Sequence, residues 1–273
     1  IRTTRQLSLS EINRDDRFLE VDDLKMLIRG DKSDDTVRKC IIGYPSYPLY
    51  RDVAAMLQIW METRAAWLTR VPCPPPLITI SIRPSLYFIF LYLSICRSAV
   101  IVSITPLLDG LKTLWSLWVD GEIKFRLRQI LMLLGKRGIM DLLGIRKTVG
   151  TKEILPPPRS VLMESFKEKC SEKSQLWVGS RALAKHYHRD EGHSWWGNST
   201  GTESEKNAYA LSIVNKILDG ATWINIHWLP HDVFVIEARE EKGYGVRWTA
   251  DGTSFRGFLE PQMVDGHEVG WRH

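Results

Sequence analysis

Three short turns between residues 221 and 259 constrain the fold of this chain more than any other feature of its sequence. Asp251-Gly252 is the strongest short signal for a two-residue β-hairpin, because both residues tolerate the left-handed backbone that such a turn requires. Glu241-Lys242-Gly243 suits a three-residue hairpin, and Pro230-His231-Asp232 can close another. Three consecutive hairpins predict four antiparallel strands in a meander.

The same turns predict which residues face each other across the strands. The first pairs Asn225 with Glu237, and the second pairs Glu237 with Arg247. The third places Trp248 opposite Phe255 and Arg247 opposite Arg256. Because side chains alternate between the faces of a strand, this register defines one apolar face that we expect to pack under helices. Its members are Ile224, Ile226, Trp228, Phe234, Ile236, Ala238, Val246, Trp248 and Phe255.

The opposite face carries the polar residues that form the candidate ligand site. They are Asn225, His227, Glu237, Arg247 and Arg256. Like charges directly opposite each other destabilise a sheet, and Glu237 can offset only one of the two arginines. The second guanidinium is then available for a carboxylate or phosphate, because its fork matches two oxygens. This face is therefore predicted to bind an anionic small molecule or an acidic protein segment, and the alternative is a solvated charge ladder.

Other candidate residues come from the histidines, all seven of which lie between Trp177 and His273. His227, Glu260 and His267 are candidate catalytic residues, because imidazole and carboxylate groups transfer protons. Imidazoles also bind metals, but residues two apart on a helix point in different directions, so no metal site is predicted. The candidate metal ligands, should the segment not be helical, are His186, His188 and His193. The cofactor stays unknown, since neither a P-loop nor a nucleophile elbow is present.

Helical patterns surround the predicted strands. Residues 1–150 are predicted to be mostly helical, and residues 151–159 form a proline-rich linker. In residues 160–273, Thr202 and Glu205 form a capping box, and Gly220 ends that helix. The predicted fold class is α+β, with a helical N-terminal region followed by a domain of helices packed on a four-stranded antiparallel β-meander.

Residues 71–108 differ in composition from their charged flanks, since Arg83 and Arg97 are their only charged residues. One interpretation is a membrane segment over residues 84–108, although Arg97 interrupts it. The other is that residues 71–97 are intron sequence read through in frame. The chain also begins at Ile1 rather than methionine, which predicts that it is a fragment.

The charge is uneven along the chain. Residues 1–150 hold 22 Lys and Arg against 15 Asp and Glu, whereas residues 151–273 hold 15 against 17. The basic residues form no stripe with interleaved aromatics, so no nucleic-acid partner is expected. The four cysteines have neither metal nor disulfide spacing, which predicts free thiols in an intracellular compartment, cytoplasmic or nuclear.

Several motifs of the C-terminal block resemble an uncharacterised eukaryotic protein family found in fungi and plants. They are Ala182-Leu183-Ala184-Lys185-His186, Trp195-Trp196-Gly197, Trp223-Ile224-Asn225-Ile226-His227, Gly243-Tyr244-Gly245-Val246-Arg247-Trp248, and Gly257-Phe258-Leu259-Glu260-Pro261 through His273. The resemblance covers roughly residues 155–273 and implies a folded unit in an intracellular protein. It implies no activity, cofactor or catalytic residue.

Three functional hypotheses follow. The favoured one is a non-enzymatic binding module that uses the polar sheet face. The second is a hydrolase-like enzyme, metal-dependent or not, that uses His227, Glu260 and His267. The third is a membrane-associated protein held by residues 84–108.

Overall fold

A computed structural model describes residues 19–31, 42–63, 102–111, 113, 120–148, 150–187, 195–198, 200–229 and 233–261 of the 273-residue chain. Within these residues, helices make up the N-terminal part and an antiparallel sheet lies towards the C-terminal end. The predicted α+β class is confirmed.

The N-terminal helices are α1 (Val21–Ile28), α2 (Leu49–Thr63) and α3 (Asp120–Leu142), and residues 102–111 are also helical. Apolar side chains at helical spacing form the buried side of α2: Leu49, Val53, Met56, Leu57 and Trp60. Gly135 has a φ of 56°, which is outside the helical region, so α3 is kinked at this residue.

The helices of the C-terminal part are α4 (Arg159–Phe166), α5 (Val178–Tyr187) and α6 (Glu203–Asp219). The predicted capping box of α6 is confirmed. The Glu205 amide donates to Oγ1 of Thr202 at 3.3 Å, and the Thr202 amide donates to the Glu205 carboxylate at 2.7 Å. Gly220 is the C-cap, as predicted.

The four strands are β1 (Ala221–Leu229), β2 (Val233–Glu240), β3 (Gly245–Thr249) and β4 (Phe255–Leu259). Their order is β1-β2-β3-β4, which confirms the meander. Asn225 lies opposite Glu237, and Glu237 lies opposite Arg247, as the first two turns predict. The first three strands therefore have the predicted faces.

The predicted register of the last hairpin is wrong beyond its first pair. Trp248 lies opposite Phe255, but a β-bulge then places Gly257, rather than Arg256, opposite Arg247. Gly257 has a φ of 133°, a conformation that glycine adopts at little cost and other residues rarely adopt. One extra residue on β4 thus shifts the pairing that follows Phe255 by one position.

The apolar face of the sheet packs against α5 and α6, with α4 against β4. Its central residues are at most 2% exposed: Ile224, Ile226, Ile236, Ala238, Val246 and Trp248. Burying a large apolar side chain contributes about 1.5–3 kcal/mol, so this face stabilises the fold strongly. Trp228 and Phe234 differ from the prediction, because Trp228 is 50% exposed and Phe234 is only half-buried at the end of the first hairpin.

Residues 145–148 and 150–152, which we call the edge segment, pair with the outer side of β1. Ile145 forms a parallel bridge with Ile224, and Thr151 forms an antiparallel bridge with His227. The Lys152 amide donates to the Ile226 carbonyl at 2.8 Å, and the Trp228 amide donates to the Gly150 carbonyl at 3.1 Å. The edge segment therefore covers part of an edge that an open sheet would leave unpaired.

The predicted linker is packed against N-terminal side chains. The hydroxyls of Tyr44 and Tyr47 donate to the carbonyls of Pro157 and Pro156 at 2.7 Å and 2.5 Å, and both tyrosines are buried. One hydrophobic core contains residues from both sides of the linker. The division into residues 1–150 and 160–273 stays a prediction.

No helix among the residues described above is long and apolar enough to cross a membrane. The membrane and intron interpretations both concern residues 71–108. Of these, residues 71–101 lie outside the described part of the chain. His188, His193 and His267 also lie outside it.

Candidate functional site

Glu237 is the centre of the polar face, and it is only 3% exposed. Arg247 donates from Nε to Oε1 of Glu237 at 2.7 Å, and its Nη2 donates to the same oxygen. On the other side, Nε2 of His227 lies 3.3 Å from Oε1, and Nε of Arg239 lies 3.5 Å from Oε2. We call these four residues the Glu237 cluster. It sets one carboxylate against two guanidinium groups and an imidazole.

Strand geometry brings the cluster together. Glu237 and Arg247 are cross-strand partners, and His227 is diagonal to Glu237 because its own partner is Val235. Arg239 follows Glu237 by two positions on β2, so it lies on the same face. Sequence reasoning missed Arg239, although the two-residue period of the strand would have identified it.

The electrostatics of the cluster keep Glu237 ionised. Burial acts to raise the pKa of its carboxyl, but contact with His227, Arg239 and Arg247 outweighs burial and lowers the pKa to about 2. Burial also lowers the pKa of Arg239, and the attraction of Glu237 opposes that change. The site thus combines one carboxylate, which is negatively charged, with three side chains that can carry a positive charge: His227, Arg239 and Arg247.

His227 and Arg247 form the accessible side of the cluster. Their side chains are 18% and 22% exposed, whereas the Glu237 side chain is 4% exposed. Nε2 of His227 is buried towards Glu237, and Nδ1 lies 3.2 Å from the Trp228 carbonyl oxygen near the surface. A histidine with a carboxylate oxygen 3.3 Å from one nitrogen, and with its other nitrogen near the surface, is suited to general acid–base catalysis.

Arg239 connects the cluster to two neighbouring loops. Its Nη1 donates to the Gly243 carbonyl at 2.7 Å and to the Glu260 carbonyl at 2.9 Å. Arg239 is only 9% exposed, so it is less accessible to a ligand than His227 and Arg247 are. Its contacts instead hold the turn before β3 and the end of β4 beside Glu237.

Asn225, a predicted ligand-binding residue, is hydrogen-bonded inside the protein. It is 1% exposed, accepts from Oγ1 of Thr151 at 3.0 Å, and donates to Oγ1 of Thr148 at 2.6 Å. The amide thus fastens the edge segment to β1, and its role in ligand binding stays a prediction.

Arg256 does not form the predicted pair with Arg247. The bulge at Gly257 removes it from that position, and its side chain is exposed. The argument that one of two facing arginines is available for an anion therefore fails, because Arg247 already binds Glu237.

A second polar cluster joins residues that the sequence analysis assigned to different sites. Nδ1 of His186, a candidate metal ligand, lies 2.7 Å from Oε1 of Glu260, a candidate catalytic residue. Nε1 of Trp196 donates to Oε2 of Glu260 at 2.8 Å. Over the described part of the chain, no group of three or more His, Cys, Asp or Glu side chains is arranged to hold a metal ion.

Comparison with known proteins yields one match to a family. The profile of the CdiA C-terminal tRNase toxin domain matches residues 166–260. The matched range begins at the last residue of α4 and ends directly after β4, so it includes the whole sheet and the Glu237 cluster. No curated protein and no solved structure matches the chain.

This match corrects the functional interpretation of the sequence. A tRNase toxin domain is a nuclease, so the prediction of a non-enzymatic binding module for an anionic small molecule or acidic segment is wrong. The alternatives, a hydrolase-like enzyme, metal-dependent or not, and a membrane-associated protein, do not fit the match either. The expectation that nucleic acid is not a partner is wrong for the same reason.

The basic and aromatic residues that argue for a nucleic-acid partner are brought together only by the fold. Lys152 is exposed on the edge segment, and its Nζ lies over the ring of Phe234, the cross-strand partner of the half-exposed Trp228. Lys152 is more than 70 positions away from both rings in the chain, so no stripe of basic and aromatic residues is visible in the sequence.

Proposed function

We propose that the region around residues 166–260 is an RNA-cleaving domain with tRNA as its substrate class. The observation that carries this proposal is the match to a tRNase toxin domain over the residues that contain the Glu237 cluster. Because tRNA is found inside cells, a tRNA substrate agrees with the intracellular compartment that the sequence predicts.

The reaction that fits the cluster uses the RNA itself as nucleophile. RNA carries a 2′-hydroxyl beside each phosphodiester, and DNA lacks it. Loss of the 2′-hydroxyl proton lets the oxygen attack phosphorus, so that an O2′–P bond forms and the P–O5′ bond breaks. The products are a 2′,3′-cyclic phosphate and a 5′-hydroxyl, whose oxygen takes a proton from water.

His227 is assigned the proton transfer. Glu237 orients the ring through Nε2, and the outward Nδ1 takes the proton of the 2′-hydroxyl. Nδ1 lies 3.2 Å from the Trp228 carbonyl oxygen, so it accepts this proton only in the neutral tautomer whose proton is on Nε2, after that contact has given way to the substrate. Such rearrangement is common, because catalytic hydrogen bonds are often formed fully only with substrate.

Arg247 is assigned the charge that develops on the phosphate. Its Nε and Nη2 bind Glu237, while 22% of the side chain stays exposed for a phosphate oxygen. Guanidinium groups fixed beforehand at a transferring phosphoryl group stabilise its transition state. Glu237 is therefore a positioning residue for both His227 and Arg247.

The test is cleavage of purified tRNA by the full chain, followed on denaturing gels with chemical identification of the new 3′ end. We expect cyclic phosphate ends from the wild type, and a rate about a hundredfold to ten-thousandfold lower in His227→Ala. Arg256→Gln, which removes an exposed charge from β4, is the control and should cleave at the wild-type rate. Intact tRNA after incubation with folded wild type would overturn the proposal, and equal rates in His227→Ala would overturn the assigned site.

A further inference from the structure

Trp228 is exposed where its strand position predicts burial. It lies on the apolar face of β1, two positions after Ile226, which is fully buried, yet half of Trp228 is open to solvent. Phe234, its partner on β2, meets it edge to face, with the ring centres 4.9 Å apart. The Trp228 indole thus presents an aromatic surface to solvent at the end of a face whose central residues are buried.

A lysine completes the patch. Nζ of Lys152 lies 3.9 Å from the centre of the Phe234 ring, and the residue is exposed. The backbone of the edge segment fixes this arrangement, because Lys152 donates to Ile226 and Gly150 accepts from Trp228. Trp228, Phe234 and Lys152, which we call the Trp228 patch, are therefore held in place by the sheet.

We propose that the Trp228 patch is a stacking subsite for one unpaired base of the RNA substrate. Aromatic side chains bind single-stranded nucleic acid by stacking on bases, and nearby cations contact the backbone. Trp228 is the next residue after His227, and consecutive residues on a strand lie about 3.4 Å apart on opposite faces. The base subsite and the phosphodiester site therefore lie at adjacent positions on opposite faces of β1, and an RNA strand that uses both has to span the two faces.

The size and charge of the patch favour a base over a protein segment. A protein interface of standard size buries about 800 Å² on each partner, far more than one half-exposed indole, a half-buried phenyl ring and a lysine provide. Lys152 supplies a positive charge for a phosphate beside the stacked base. The stacked base has to be unpaired, because a base inside a duplex has no free face.

This inference rests on the proposed function, and its test separates the two. Binding of a short single-stranded 2′-O-methyl oligoribonucleotide to the full chain is measured by fluorescence anisotropy, since the methyl group blocks cleavage. We expect Trp228→Ala to weaken binding about 5-fold to about 150-fold, and Trp228→Phe to weaken it less. Tyr50→Ala is the control, because Tyr50 is an aromatic residue of similar exposure, 48%, on α2.

Oligonucleotides that carry one abasic residue identify the stacking directly. One abasic position should weaken binding to the wild type and leave binding to Trp228→Ala unchanged, whereas every position would matter equally to both proteins without such stacking. Equal affinity of wild type and Trp228→Ala, with tRNA cleavage retained, would overturn the subsite and leave the proposed function standing. Wild-type protein that neither binds nor cleaves any RNA would overturn both.

Discussion

At the scale of single residues, the ionised state of Glu237 determines what the polar face can do. Burial alone would favour a neutral carboxyl, but the three surrounding nitrogen-bearing side chains hold the carboxylate form. The ionised carboxylate in turn orients His227 and Arg247. Stability and site geometry therefore depend on the same charge.

The pH dependence of stability gives a direct test of this charge. The folded-state pKa of about 2 is below the ordinary value of 4.5, so the stabilisation is present above about pH 4.5 and is lost as the pH falls through about 2. The shift corresponds to a stabilisation on the order of 3 kcal/mol. Urea unfolding should thus find wild type more stable than Glu237→Gln at neutral pH, with a difference that shrinks on acidification. A difference that is the same at neutral and strongly acidic pH would contradict the prediction.

The two arginines of the last hairpin should behave differently. Arg247→Lys keeps a positive charge but loses the planar fork that contacts Glu237 and phosphate together. We expect tRNA cleavage to slow about 10-fold to about 150-fold, as for the loss of a hydrogen bond to a charged group. Arg256→Lys is the matched control in the neighbouring strand. Equal rates for both variants would remove Arg247 from the site.

The residues of this site could be predicted only in part. Period-two alternation and the turn residues identify Glu237, Arg247 and His227, because these depend on local backbone rules. The role of Asn225 could not be predicted, since its partners Thr148 and Thr151 are more than 70 positions away in the chain. Neither could the exposure of Trp228, because alternation along β1 places it on the apolar face.

At the scale of elements, the meander shows where the residues of the turns are sufficient to predict the register of the strands. The first two hairpins have the predicted register, but the third does not, because a bulge is determined by one residue inside a strand. Gly257 is the signal that was available, since glycine within a strand often indicates a bulge. The misplaced Arg256 follows from that single residue.

Helix α6 offers a measurement of a local interaction that the sequence does predict. Thr202→Ala removes the oxygen that accepts from the Glu205 amide, and it should lower the free energy of unfolding by about 1 kcal/mol. Thr202→Ser keeps that oxygen and should lower it less. Chemical denaturation of the three proteins compares them, and an alanine variant as stable as wild type would show that the cap contributes nothing.

At the scale of the whole molecule, the N-terminal residues complete the C-terminal sheet. The amides of Gly43 and Tyr44 donate to the carbonyls of Ala221 and Leu218, at 2.8 Å and 2.7 Å. Tyr44 and Tyr47 hold the proline-rich segment, and burial raises the pKa of both hydroxyls above the ordinary range. The edge segment adds backbone pairing along β1. These contacts join regions that the sequence separates with a linker.

Truncation therefore tests whether the predicted boundary divides the molecule. A fragment of residues 155–273 lacks the edge segment, Gly43 and both tyrosines. It therefore loses four backbone hydrogen bonds to β1, made by Gly43, Arg146, Gly150 and Lys152, and leaves Asn225 without its threonine partners. Since each hydrogen bond contributes about 1 kcal/mol, the free energy of unfolding of the fragment should be lower by an amount on the order of several kcal/mol. We expect this fragment to unfold at a lower urea concentration than residues 42–273, and to bind 2′-O-methyl RNA less tightly because Lys152 is absent. Equal unfolding midpoints would instead support an independent domain that begins after the linker.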